Sequence, residues 1–148
     1  MSADEVDGAP LTLSLVQQEL GALRLPEPQH VALMDLMRFV IQHVPGEVHA
    51  ADLGRGVSFH WRPYGWNTHR LLRVMTDGSV RWNVKQLHRL VDSGRATRDS
   101  MQRFDTVISD FAGDIVDSER QMPCDRITDQ HARQRLFDGV REFMDHLD

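Results

Sequence analysis

An α+β fold, with about five helices packed on a small antiparallel sheet within residues 57–84, follows from three features of the 148-residue sequence. The dipeptide Asp77-Gly78 accepts the positive φ angles of a tight hairpin turn and lies between two alternating runs, His69 to Thr76 and Ser79 to Val84. Residues 57–84 also hold all three tryptophans and the only tyrosine. Outside that stretch, apolar residues recur at the three- and four-residue spacing of amphipathic helices.

The hairpin can be read position by position. With Asp77 and Gly78 as the two loop residues, Met75 faces Val80, Arg73 faces Trp82 and Leu71 faces Val84. One face then carries Leu71, Arg73, Met75, Val80, Trp82 and Val84, and we expect it to meet the helices, with the Arg73 guanidinium lying on the indole. The other carries Leu72, Val74, Thr76, Ser79, Arg81 and Asn83 and is expected to be partly wet. A slip of one residue exchanges the two faces. Val57, Phe59 and Trp61 alternate with polar residues and predict a third strand ahead of the hairpin, giving a meander.

Before the sheet, Leu13, Val16, Leu20 and Leu23 predict a first helix from about Thr12 to Leu23, with Ser14 and Gln17 spaced as a capping box. Leu25-Pro26-Glu27-Pro28 is a linker. Val31, Met34, Met37, Val40, Ile41 and Val44, widened by Leu33, Leu36 and Phe39, predict a well buried second helix that stops at Pro45-Gly46. For Glu47 to Gly56 we expect a short helix rather than a strand. After the sheet, Asn83 caps a helix through Leu87, Leu90 and Val91 that Gly94 ends as a left-handed residue. Thr97 caps a longer helix carrying Met101, Phe104, Val107, Ile108, Phe111, Ala112 and Ile115, expected to reach about Arg120. Met122-Pro123-Cys124 breaks the pattern, and Thr128 is expected to cap a last helix with Ala132, Leu136, Val140, Phe143 and Leu147 on its apolar side.

Residues 1–10 form an acidic lead, expected to be flexible, and residues 11–148 are expected to fold as a single domain, which at this length needs no disulfide or metal. The lead lacks the basic and apolar regions of a secretory signal, and no stretch approaches the apolar length of a membrane span. The lone Cys124 fits a reducing compartment, so a cytoplasmic location and no membrane contact are expected.

Charge is segregated along the chain: residues 1–53 carry a net −6, residues 54–98 a net +7 and residues 99–148 a net −6. In the basic middle, arginines are interleaved with Trp61, Tyr64, Trp66 and Trp82. From it we select Arg62, Tyr64, Trp66, Arg70 and Arg81 as binding residues, aromatics serving as anchors and arginines as forks for acidic groups. Two partners compete for such a surface: another protein with an acidic face, and nucleic acid, whose bases stack on aromatics and whose phosphates pair with arginine. Against nucleic acid stands the acidic whole, with a pI near 5.9. A third arrangement docks the basic sheet on the protein's own acidic helices. The apolar stripe of the last helix completes the core or pairs two copies into a homodimer.

Other chemistry is poorly supported. His43, Glu47 and His49 straddle Pro45-Gly46 and cannot share a helical face as zinc ligands do, and His60 and His69 lack a third ligand. Asp110, Asp114 and Asp117 would share a helix face, more simply explained as a solvated surface than as a Mg²⁺ site. Cys124 precedes His131 by seven residues without a group to orient the pair. No phosphate loop, nucleophile elbow, dinucleotide fingerprint or CxxC pair is present. We therefore expect a non-catalytic macromolecule-binding protein, an adaptor, inhibitor or regulator, with no metal and no cofactor. A small enzyme whose site is assembled from distant residues is the remaining alternative.

Overall fold

The helical periods and the meander come together in an α+β architecture. The computed structural model describes residues 11–44, 46–50, 56–61, 69–112, 114–116 and 119–147. The acidic lead, residues 1–10, and the loop carrying Arg62, Tyr64 and Trp66 lie outside the described residues. Helices α1 (Leu13–Gly21) and α2 (Glu27–His43) come first, followed by strands β1 (Gly46–Ala50), β2 (Gly56–Trp61), β3 (His69–Met75) and β4 (Val80–Trp82). Helices α3 (Val84–Asp92) and α4 (Arg98–Phe111) lead to strands β5 (Asp114–Val116) and β6 (Glu119–Met122). A short 3-10 turn, Cys124–Ile127, precedes α5 (Gln130–Asp145).

Helix boundaries follow local chemistry. The Thr12 hydroxyl accepts from the Leu15 N–H at 3.2 Å, so Thr12 rather than Ser14 caps α1. Pro28 sits in the first turn of α2, where its missing N–H costs nothing. Asn83 and Thr97 cap α3 and α4 as expected, and Gly94, with φ +80°, ends the segment after α3. Asp129 caps α5 through the Ala132 N–H at 2.9 Å, displacing Thr128, which closes the preceding 3-10 turn.

Two segments depart from expectation, both to the benefit of the sheet. Residues 46–50 form β1 instead of a helix, because their backbone groups satisfy one edge of β2 in antiparallel register from Gly46↔Trp61 to Ala50↔Val57. Helix α4 stops at Phe111, and Ala112 turns extended at φ −124°, ψ 116°. Gly113 weakens a continued helix, the β-branched pair Ile115-Val116 suits a strand, and β6 supplies the partner that the free edge of β4 requires. Among the described residues the sheet therefore has six antiparallel strands in the order β1-β2-β3-β4-β6-β5, twice the number expected.

Its apolar face meets the helices. Trp82 is fully buried and meets Phe104 of α4 edge-on, with centroids 6.2 Å apart, and Phe104 stacks on Phe143 of α5 at 4.8 Å. Phe39 of α2 stacks on Phe137 of α5 at 4.4 Å. Helices α4 and α5 approach closely at Gly139, where an added Cβ would lie 2.7 Å from a Val107 methyl. Leu136, Val140 and Phe143 of the α5 stripe are buried in the core. Arg133 ties α5 to its surroundings, donating to the Ile127 carbonyl at 2.8 Å and pairing with Asp35 of α2 at 3.1 Å. No helix among the described residues is long and apolar enough to cross a membrane.

Candidate functional site

The turn between β3 and β4 determines what the second face of the sheet presents. Asp77 Oδ1 accepts from the Ser79 N–H at 2.9 Å and the Ser79 hydroxyl at 2.6 Å. These bonds hold the Asp77 carboxyl below its usual range, with a smaller pull from the Arg81 charge. The Met75 N–H donates to the Ser79 carbonyl at 2.8 Å and the Gly78 N–H to the Met75 carbonyl at 2.9 Å. Thr76, Asp77 and Gly78 thus form a three-residue loop in which Gly78 alone takes a positive φ, +87°. The two-residue turn expected from Asp77-Gly78 is not formed, and the register moves by one: Leu72↔Trp82, Arg73↔Arg81, Val74↔Val80.

That shift exchanges the faces of β3, bringing Leu72 and Val74 to the helix side, while Val80 and Trp82 of β4 stay on it. One row across all six strands is Val48, Phe59, Leu72, Trp82, Arg120 and Ile115. Arg120 reaches Asp105 of α4 at 3.0 Å, so this row belongs to the helix side. The adjacent row is polar throughout: His49, Ser58, Arg73, Arg81, Gln121 and Asp114. Arg73 therefore faces Arg81 and does not lie against Trp82.

The paired arginines are the centre of this face. Arg73 Nη2 donates to Glu119 Oε1 at 3.0 Å, and the Glu119 side chain is only 5% exposed, whereas that of Arg73 is 27% exposed. Arg81 is half-buried. The Nε atoms of both arginines are buried without a hydrogen-bond partner among the described residues. Like charges directly opposite on neighbouring strands repel, and an unpaired buried donor is costly, so this arrangement is not what stability alone selects. Each guanidinium offers a planar fork of donors, of which Arg73 uses one on Glu119.

Of the five binding residues expected from sequence, Arg81 is on this face. Arg70 pairs with His60 next to a register shift in β2–β3. Arg62, Tyr64 and Trp66 lie outside the described residues. Arg73, Glu119 and Gln121 were not expected here. Arg73 was misplaced by the turn length, and Glu119 and Gln121 by reading α4 through a strand pair, although Asp117-Ser118 between Ile115-Val116 and residues 119–122 is a turn signal.

The remaining candidates separate in space. Asp110 ends in α4 and Asp114 starts β5, so the expected common helix face does not exist, and Asp117 lies outside the described residues. Among the described residues no group of three His, Cys, Asp or Glu side chains could hold a metal. Cys124 is buried, its Sγ donates to the Gln29 carbonyl at 3.5 Å, and burial pushes the thiol up to about 11. It stays protonated at neutral pH, whereas nucleophilic attack needs the thiolate. A groove of about 540 Å³ between α4 and α5 is lined by Asp99, Gln102, Arg103, Thr106, Val107 and Glu142, with Arg103 and Glu142 paired across it at 2.8 Å. Both members of that pair are half-exposed, and their attraction is screened by water. Comparison with protein-family models, with curated proteins and with solved structures gives no match to this chain.

Proposed function

We propose that the chain is a non-catalytic binding protein, an adaptor, inhibitor or regulator, that engages the acidic surface of another protein through the polar face of its sheet. The observation that carries this is the direct opposition of Arg73 and Arg81, each with a buried and unpaired Nε–H. Glu119 pairs with Arg73 at 3.0 Å. The basic segment around them, net +7 over residues 54–98, would draw an acidic partner, while the net charge of −5 on the whole chain opposes indiscriminate adhesion to nucleic acid. Arg62, Tyr64, Trp66 and Arg70 are the further contact residues of this proposal, the two aromatics as apolar anchors. The protonated thiol of Cys124 favours binding over nucleophilic catalysis, and a lone cysteine fits a reducing compartment such as the cytoplasm.

Affinity capture from lysate of the native host, with nuclease present, provides the test. Wild type should retain a protein that Arg81→Glu and Trp66→Ala release, with both variants unfolding at the wild-type denaturant midpoint. Equal retention by folded Arg81→Glu would remove the sheet face from the interaction. Retention that disappears with nuclease or moderate salt would replace the protein partner by nucleic acid, whose binding is dominated by counterion release.

A further inference from the structure

We draw no further inference here: the strongest candidate, the open groove between α4 and α5 around Arg103 and Glu142, carries nothing because those two charges are paired with each other at 2.8 Å and nothing in the structure shows what covers it.

Discussion

The two faces of the central hairpin are built from the same short stretch of chain and meet opposite fates. Leu72, Val74, Val80 and Trp82 are fully buried against the helices, while Arg73 and Arg81, their immediate neighbours, remain partly exposed and oppose each other. The first set is what hydrophobic burial selects: Trp82 lies between sheet and α4, and each large apolar side chain removed from water contributes roughly 1.5–3 kcal/mol. The second set carries like charges face to face, which costs stability, while buried donors without partners occur on both faces, at the Nε atoms of Arg73 and Arg81 and at Nε1 of Trp82.

Substitutions at adjacent positions give the largest contrast. Trp82→Ala should cost about 3–5 kcal/mol in urea unfolding, because it leaves a cavity beneath Phe104, whereas Arg81→Gln should stay within about 0.5 kcal/mol of wild type because it also relieves repulsion with Arg73. Comparable losses would mean that the two faces are not energetically distinct. The turn comes next. Gly78→Ala must adopt φ near +87° and press on Leu25, whose methyls would lie 3.1 Å from the new Cβ, so it should cost about 1–2 kcal/mol. Gly78→Asn should cost less, because asparagine tolerates the left-handed region, and a neutral Gly78→Ala would sink the three-residue turn.

The smallest effect comes from Cys124, on the buried side of the molecule. Its folded value, raised from 9.0 to about 11, favours the protonated form, so its contribution to stability is fully present below pH 9 and is lost as pH rises through 11. Unfolding free energies of Cys124→Ala should therefore decline less than those of wild type between these pH values. Rapid thiol labelling of the native protein at pH 8 would contradict the burial.

How much of this was legible in the sequence divides along the same line as local and non-local structure. Helices α1 to α3 and α5 were readable from their apolar period, and Asn83 and Thr97 cap α3 and α4 as expected, whereas the caps of α1 and α5 fall on Thr12 and Asp129. Strands β1, β5 and β6 were not, because each is stabilised by a partner strand elsewhere in the chain. Ile115 continued the helical period of α4 well enough to conceal the change. The hairpin itself was legible at Asp77-Gly78, but its loop length was not, since Gly78 serves a two-residue and a three-residue loop equally well. That single residue decided the candidate site: Arg81 lies on the polar face of the sheet, Arg73 was set against the wrong neighbour, and Glu119 was placed on a helix it does not belong to.

Every functional statement about the polar face therefore rests on the register of β3 against β4, and inter-strand nuclear Overhauser effects read it directly. Leu72 and Trp82 form a non-hydrogen-bonded antiparallel pair, the arrangement that brings facing backbones closest. A strong Hα–Hα contact between Leu72 and Trp82, repeated between Val74 and Val80, is the expected result and places Arg73 opposite Arg81. Cross-strand contacts linking Arg73 to Trp82 and Met75 to Val80 instead would restore the two-residue turn, return Arg73 to the tryptophan face and dissolve the paired-arginine site.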